Sequence, residues 1–580
     1  MRLRYHEPDQ FNRIREPNIE PPHPCLPRIS PNRFWRCAFL LLLLLQCTPL
    51  WLFTWLPSTD GPSHLHNAAV LANSGVGIYR QYYTISPFNA AGNMLTQVIF
   101  AALMKLLAPL IAEKMLLTCY MALFFASFYY FIRAITPYPD HLATFAGILV
   151  SNLFFYMGFW NFIFSLCLAL FMLGYYLRHR QHWTPWTLAV LLMAGILTYL
   201  THAVSWAVCV VAVAILGIVS ISWQRGRRLP QVQTVTLSEW AKAFCCLLPP
   251  AVFLLMYLKD VAHESFATSL SAEQQSSVSV SLVQRILNRL LPVCRLSFLS
   301  SFTNSERTLA GIVGCTLVII VAYVVAVGYS KKQYNHGSTP ILLTSGMFWL
   351  AAIVAPNHVG RADGIRLRVA LYALIFLVAW IGAGLRSWPR PTLHILATLF
   401  CCLAVGGVAI RFPELSMWNE RLASIYAIGQ HVRPESTVLQ LNLDYPAPIS
   451  PENPHGVSPY LHCVGLLSCD KAVVDLRNYE ASTIYFTTRF RSEVSPFPAL
   501  GMPDQLESTR PIFDIRRYES KTHGRVDYLL FQGGLVSGRI EAHGLEEDLY
   551  HDQMAAYKLV TTGQRGNLRL YERVPDGSAR

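Results

Sequence analysis

The residues best suited to chemistry follow the first long apolar segment directly, in the stretch Ser58–Asn67. Asp60 precedes Gly61 and Pro62, a pattern that predicts a helix start at which the Asp side chain caps free backbone N–H groups. His64 follows one helical turn later, so the carboxylate and the imidazole are predicted to share one face of that helix. Together they can bind a divalent metal, or Asp60 can act as a general base with His64 beside it. The alternative is that Asp60 only caps the helix and that the histidines lie at a wet interface.

A second group of candidates has the charge needed to bind an anion. The loop from Pro356 to Arg368 contains three arginines, with only Asp363 among them to neutralise charge. Guanidinium groups bind phosphate at two points, so this loop is predicted to hold a phosphate at the membrane surface. The alternative is that the arginines bind ordinary lipid head groups or pair with acids of the C-terminal region. The predicted substrate-binding residues are His66, His202, Arg361, Arg366 and Arg368.

His202 is a candidate because it ends an interruption in a long apolar stretch. Residues 186–222 exceed the length of one membrane span and are interrupted by Thr198–His202. This pattern predicts two helices that meet on the side of the membrane where Asp60 lies. A lone histidine in such a break can also be a packed residue that makes hydrogen bonds, and this alternative stays open.

The composition indicates a polytopic membrane protein. Of 580 residues, 53% are hydrophobic and 14% are charged, and the apolar residues form runs long enough to cross a hydrocarbon core of about 30 Å. The formal net charge of +13 does not indicate nucleic-acid binding, because many Lys and Arg residues flank apolar runs, where they set membrane orientation. The 14 cysteines show no CxxC spacing, which argues against a zinc ribbon or a thioredoxin-type site.

The apolar runs predict a transmembrane domain, residues 35–410, with about eleven spans. Residues 93–112 are interrupted by Lys105 and Pro109 and are predicted to form an in-plane or re-entrant helix instead of a span. The predicted spans are 35–56, 115–135, 141–158, 160–177, two helices within 186–222, 240–258, 308–329, 340–355, 367–385 and 391–410.

The basic residues predict the orientation of the chain. Arg178–Arg180 and Arg225–Arg228 are predicted to be cytoplasmic, as is the arm 1–34, whose arginines and prolines are typical of a disordered segment. These assignments place Asp60 and the residues beyond 410 outside. The chain is therefore predicted to be a multi-pass protein of the plasma or inner membrane with a cytoplasmic N-terminus.

Three segments are predicted to lie outside the membrane. Residues 57–92 form a polar first outer loop, and residues 259–307 form an outer loop that carries an amphipathic helix. Residues 411–580 have the composition of an extracytoplasmic α/β domain, in which Cys463 and Cys469 could form a disulfide. The main elements predicted for this domain are a helix at Trp418–His431 and strands at Thr437–Leu443, Ala472–Leu476 and Val526–Phe531.

This order of features resembles the GT-C superfamily of membrane glycosyltransferases, which includes oligosaccharyltransferase catalytic subunits, protein O-mannosyltransferases and aminoarabinose transferases. The resemblance covers the layout of the membrane half, and in motif it is limited to Asp60 and the loop end Ser86-Pro87-Phe88-Asn89. It implies transfer of a sugar from a polyprenyl-phosphate donor in the membrane to a glycan or protein acceptor outside. It also implies that Asp60 is a base or a metal ligand, with His64 or His66 replacing a second carboxylate if a metal is bound.

The sequence departs from the GT-C pattern, because Gly61 and Pro62 follow Asp60 where an Asp-x-Asp or Asp-Glu pair would stand. The absence of that second carboxylate favours an alternative, a non-catalytic scaffold or assembly factor for envelope glycan synthesis. A transporter of lipid-linked substrates is less well supported, because it would favour ionisable groups at mid-membrane depth and internal repeats. The sequence shows neither, so a glycosyltransferase is the favoured interpretation.

Overall fold

The computed structural model of the protein describes most of the chain. The residues that it describes are 33–75, 77–86, 88–226, 235–259, 282–330, 338–357, 363–384, 388–443, 456–501, 512–533, 550–563 and 568–575.

Helices make up most of the described residues before the C-terminal sheet. In chain order they are α1 (Arg33–Leu52), α2 (Gly61–Ala72), α3 (Gly77–Tyr82), α4 (Leu95–Met104), α5 (Pro109–Arg133), α6 (Pro139–Leu142), α7 (Ala146–Leu149), α8 (Leu153–Tyr156), α9 (Trp160–His179), α10 (Pro185–Thr201), α11 (Ala203–Gly226), α12 (Leu237–Leu247), α13 (Ala251–Lys259), α14 (Leu282–Cys294), α15 (Asn304–Ser330), α16 (Thr339–Val354), α17 (Ile365–Gly384) and α18 (Arg390–Gly429).

Seven of these helices are long and apolar enough to cross a membrane: α1, α5, α9, α11, α15, α17 and α18. Helices α12 and α13 pass the same test only as a pair bent by 43°. Helix α4 has ten residues, so at about 1.5 Å per residue it reaches about half of a hydrocarbon core. The predicted polytopic helical architecture is confirmed.

The prediction of one continuous span at 141–158 is wrong. This segment is divided into α6, a 3-10 turn at Ala143–Phe145, α7 and α8. Asn152 interrupts it with an extended backbone, and its side-chain oxygen accepts a hydrogen bond from the Phe154 N–H. Nearly every residue of the segment is buried inside the protein. Its apolar character therefore reflects burial against other helices, which hydropathy does not distinguish from contact with lipid.

Helix α18 continues through the predicted start of the C-terminal domain at residue 411. It has 40 residues and includes Pro413, and its last turns are the helix that was predicted separately at Trp418–His431. The composition changes at residue 411, whereas the helix continues to Gly429. The C-terminal domain therefore begins as the continuation of a helix that is long and apolar enough to span a membrane.

The C-terminal domain contains a five-stranded mixed sheet. Its strands are β2 (Ser436–Asn442), β3 (Val473–Asp475), β5 (Tyr528–Gln532), β6 (Tyr557–Thr562) and β7 (Leu568–Arg573), and a separate pair is formed by β1 (Tyr83–Ile85) and β4 (Thr488–Phe490). The order in the sheet is β3-β2-β5-β7-β6, with β3, β2 and β5 parallel and β7 antiparallel to both of its neighbours. The predicted α/β class of this domain is confirmed.

Cys463 and Cys469 do not form the disulfide considered from the sequence, since both are free thiols. They stand at the two ends of one 3-10 helix. A rise of about 2 Å per residue separates their Cα atoms by about 12 Å, well beyond the roughly 7 Å that a disulfide allows.

Candidate functional site: a polar cavity between the membrane helices and the C-terminal domain

The predicted first outer loop, residues 57–92, is fixed to the C-terminal domain by backbone pairing. Strand β1 pairs antiparallel with β4, in the register Tyr83 to Phe490. Beside it, the Ser458 N–H donates to Thr59 Oγ1 at 3.0 Å. Every residue of α2 from Gly61 to Val70 is buried. The start of α2, where Asp60 stands, is therefore held between the two halves of the protein.

Three consecutive carbonyl groups after α8 hold the residues before and within α2. Tyr156 O accepts from the Thr59 N–H at 3.0 Å, and Met157 O accepts from the Asp60 N–H at 3.1 Å. Gly158 O lies 2.9 Å from His64 Nε2. The end of the segment 141–158, which was predicted as one span, thus supplies the carbonyl groups that position Asp60 and His64.

Gly158 is suited to this place because of its backbone angle and its lack of a side chain. Its φ is +79°, and a Cβ there would stand 2.8 Å from the Asp60 nitrogen and 2.6 Å from that of Gly61. We expect Gly158→Ala to displace Asp60 and to lower activity about tenfold or more, since small misplacements of a reacting group are costly. Initial rates and the melting temperature would be measured together.

The matched control for this variant is Gly77→Ala. Gly77 also has a positive φ, +47°, but an added Cβ there would meet the end of the Glu435 side chain and not Asp60. Gly77 does not line the cavity, so this variant has the backbone strain without the contact with Asp60. Equal losses in the two variants would show that strain, and not displacement of Asp60, causes the effect.

The Asp60 side chain does not cap its helix, contrary to the prediction. Asp60 occupies the N-cap position, but its carboxylate makes no capping hydrogen bond. Its Oδ1 lies 3.7 Å from His462 Nε2, and 14% of its side chain is exposed. The carboxylate instead lines a cavity.

This cavity lies between the membrane helices and the C-terminal domain and has a volume of about 300 Å³. The charged and imidazole groups that line it are Asp60, His64, His202, Asp363, Arg368 and His462. Its aromatic lining consists of Phe159, Phe162, Tyr479, Tyr485 and Phe486. A concave site with aromatic walls and few converging polar groups is typical of a small-molecule site.

His64 has both ring nitrogens engaged. Nε2 meets the Gly158 carbonyl, and Nδ1 forms an ion pair with Glu480 Oε1 at 2.9 Å. Burial alone would lower the pKa of His64, but the charge of Glu480, with smaller help from Asp60, raises it above the usual value. His462 differs, because burial and the charges of Arg477 and His64 lower its pKa well below the usual range. The pKa values of these two imidazoles on one side of the cavity are therefore moved in opposite directions.

Arg368 is the arginine that lines this cavity among the described residues. Its Nη1 donates to His202 Nε2 at 2.8 Å, and only 5% of the residue is exposed. The rings of Phe159 and Phe162 lie 4.5 and 5.1 Å from the guanidinium carbon. A guanidinium held between aromatic faces keeps its charge and its donors fixed in direction. His202 therefore has a role in orienting Arg368.

The other predicted binding residues lie elsewhere. His66 is buried between Ser468 Oγ and Tyr83 OH, at 2.7 and 2.9 Å, and burial lowers its pKa to about 3. It does not line the cavity and instead ties the outer loop to the C-terminal domain. Arg366 is half-buried on α17 and is also absent from the lining. Arg361 lies outside the described residues.

The donor set does not fit the divalent metal that the resemblance implied as one possibility. Within the described ranges, no three His, Cys, Asp or Glu side chains are grouped so as to hold a metal ion. Of the two predicted ligands, His64 already has both ring nitrogens in contact with protein groups, the Gly158 carbonyl and the Glu480 carboxylate. Asp60 alone makes no metal site.

Sequence reasoning missed the residues that the C-terminal domain contributes, namely His462, Tyr479 and Glu480. These residues are about 400 positions away from α2 in the sequence, so no local pattern indicates that they contact it. One general signal was available: in sheets with parallel strands, ligands bind beyond the carboxyl ends of the strands. Tyr479 and Glu480 follow the end of β3 by a few residues.

The fold and the cavity together define a multi-pass membrane protein whose C-terminal α/β domain closes a polar site. No protein-family model matches the sequence, and no curated protein matches it. Among solved structures, the chain is similar to ArnT from Cupriavidus metallidurans, in a crystal structure with bound undecaprenyl phosphate. The TM-score is 0.48 and the sequence identity 11%, over 94% of this chain and 99% of that chain. At this level of similarity, the comparison supports no conclusion about activity.

Proposed function

We propose that the protein is an integral membrane glycosyltransferase that moves a sugar from a polyprenyl-phosphate donor to an extracytoplasmic acceptor. The observation that carries the proposal is that Asp60 and Arg368 line one cavity at the junction of the membrane helices and the C-terminal domain. A base and a fixed cation are the two groups that this transfer needs. The acceptor class, a glycan or a protein, follows from the resemblance only.

Asp60 and Arg368 have distinct roles in the proposed transfer. The acceptor hydroxyl forms a new bond to the anomeric carbon while the bond from that carbon to the phosphate oxygen breaks. Asp60 takes the proton of the hydroxyl, and the electron pair leaves with the polyprenyl phosphate. Arg368, oriented by His202, binds that phosphate and stabilises its charge as the bond breaks.

The surroundings of the cavity suit a lipid-linked substrate. The site is bordered by Phe159 at the N-cap of membrane helix α9, by Phe162 on α9 and by Arg368 on α17. A phosphate bound at Arg368 would leave its prenyl chain free to enter the apolar region between helices. We assign the protein to the plasma or inner membrane, with the N-terminus in the cytoplasm and the cavity facing out.

The direct test reconstitutes the full-length protein in liposomes with polyprenyl-phosphate-linked sugars. Release of sugar-free polyprenyl phosphate, followed by mass spectrometry, reports turnover both to acceptors and to water. We expect release above that of empty liposomes for at least one donor of a panel with different single sugars. Binding of polyprenyl phosphate without turnover of any donor would favour the scaffold alternative.

A further inference from the structure

Helix α14 carries apolar side chains that the described part of the protein leaves exposed. Ile286, Leu287 and Leu291 are 52%, 38% and 37% exposed. Leu287 and Leu291 are four residues apart and share one face of the helix. Arg289, two positions from each of them, lies on nearly the opposite face, since two positions turn a helix by about 200°. A helix with one apolar and one basic face is typical of the boundary between lipid and water.

The contacts of α14 place it at one end of the neighbouring apolar helices. It packs against α16 and α17. Arg289 Nη1 lies 3.4 Å from the carbonyl oxygen of Val354, the last residue of α16, and donates to it. Helix α17, which is long and apolar enough to cross a membrane, starts at Ile365 after the connection 355–364. We therefore expect α14 at the level where the hydrocarbon ends, and its exposed leucines agree with that position.

Arginines from three helical regions meet around this end. Arg366 is half-buried in the first turn of α17, and of the neighbouring charges that of Arg289 acts on it most. Arg295, which follows α14, acts in the same way on Arg307 in the first turns of α15. Arg289, Arg295 and Arg307 are exposed. These four arginines are called the α14 basic patch below.

The acid nearest to Arg366 does not balance this charge. Asp363 acts on Arg366, but it also acts on Arg368 in the wall of the cavity. Its Oδ1 accepts hydrogen bonds from Asn357 Nδ2 and the Gly364 N–H. Guanidinium groups that lie near each other repel, and an anion bound between them removes that cost. Phosphate suits this place, because guanidinium groups bind it with paired hydrogen bonds.

We propose that α14 and the α14 basic patch bind an acidic phospholipid, with its phosphate between Arg289 and Arg366 and its acyl chains against the face of Leu287 and Leu291. This site goes beyond the proposed function, since the lipid is a constituent of the membrane and neither gives nor receives the sugar. A lipid fits better than a protein partner, because the apolar and basic faces lie at the level where hydrocarbon and head groups meet.

The test titrates phosphatidylglycerol into the purified full-length protein in a neutral detergent, and native mass spectrometry counts the lipids that stay bound. Phosphatidylcholine, which has a phosphate but no net charge, is the comparison lipid. We expect the wild type to prefer phosphatidylglycerol. Arg289→Gln and Arg366→Gln should each weaken that binding about fivefold, the contribution typical of one basic residue near acidic lipid. The double variant should bind more weakly than either.

Arg133→Gln is the matched control, because Arg133 is also an exposed arginine at the end of a membrane helix, α5. It should leave the affinity for phosphatidylglycerol unchanged. Inorganic phosphate is a second control, since it has the charge of the head group without acyl chains. It should not displace the lipid at equal concentration if the leucine face contributes to binding.

The outcomes separate this site from the donor site. Equal binding of the two lipids, full affinity in both Arg289→Gln and Arg366→Gln, or an equal loss in Arg133→Gln overturns the inference. Displacement by an equal concentration of inorganic phosphate would identify a free-anion site and also overturns it. Arg289→Gln should bind polyprenyl phosphate as the wild type does, and a matching loss there would assign the patch to the donor. Absence of sugar transfer would contradict the proposed function and leave this site in place.

Discussion

Asp60→Asn should lower sugar transfer by roughly two to four orders of magnitude while leaving the protein folded, because general base catalysis contributes about that much. Asn keeps the size and polarity of the side chain but cannot take the acceptor proton. The fold should tolerate the change, since the Asp60 carboxylate makes no capping hydrogen bond to lose. The measurement is the initial rate of polyprenyl-phosphate release, compared with the melting temperature of the same preparation.

Asp363→Asn is the control, because Asp363 is the other carboxylate of the cavity lining. Its Oδ1 accepts from Asn357 Nδ2 at 2.7 Å and from the Gly364 N–H at 2.5 Å, so it has a structural task at the start of α17. We expect a much smaller loss of rate from this variant. Near-normal transfer by Asp60→Asn would contradict the role of base, and a larger loss in Asp363→Asn would move that role to Asp363.

The sequence was sufficient for the features that depend on composition and local spacing. The apolar runs predicted most of the long helices. The position of Asp60 directly after α1 predicted that it lies beside the membrane half. The spacing from Asp60 to His64 correctly predicted a helix that carries both residues. Arg368, which lines the cavity, was a candidate because the loop from Pro356 to Arg368 contains three arginines with only Asp363 to neutralise their charge.

The remainder of the site depends on tertiary contacts that local patterns do not encode. Glu480 and His462 come to α2 only because β1 pairs with β4 and the domain packs on the outer loop. The same holds for capping: the pattern at Asp60 favours a cap, but its carboxylate makes no capping bond and lies 3.7 Å from His462 Nε2 of the C-terminal domain. The Asp60 carboxylate thus has a tertiary partner in place of the local backbone N–H groups.

Only the structure shows which of the predicted arginines lines the cavity. Arg366 and Arg368 differ by two positions on α17, which turns their side chains by about 200° on a helix of 3.6 residues per turn. Arg368 is consequently buried in the cavity wall, whereas Arg366 is half-buried away from the cavity. A sequence that shows three arginines in one loop cannot tell which of them faces the ligand.

Arg368→Gln should weaken binding of polyprenyl phosphate by about 10- to 100-fold, the range expected for losing a hydrogen bond between charged groups. Removing the guanidinium also removes the partner of His202 and the contact with the rings of Phe159 and Phe162. Some loss of melting temperature is therefore expected in addition. The affinity must be measured at a temperature where the variant is folded, by titrating the probe into purified protein in detergent.

Arg366→Gln separates a phosphate site from a general attraction of α17 for lipid head groups. Both arginines lie near one end of the same helix, so a contact with ordinary head groups should be weakened about equally by either change. A phosphate held in the cavity should respond to Arg368 alone. Arg368→Lys adds a second criterion, because it keeps the charge but loses the fork of donors, and should bind more tightly than Gln and less tightly than Arg. If both Gln variants lower the melting temperature and neither alters affinity, Arg368 is a structural residue and the donor phosphate lies elsewhere.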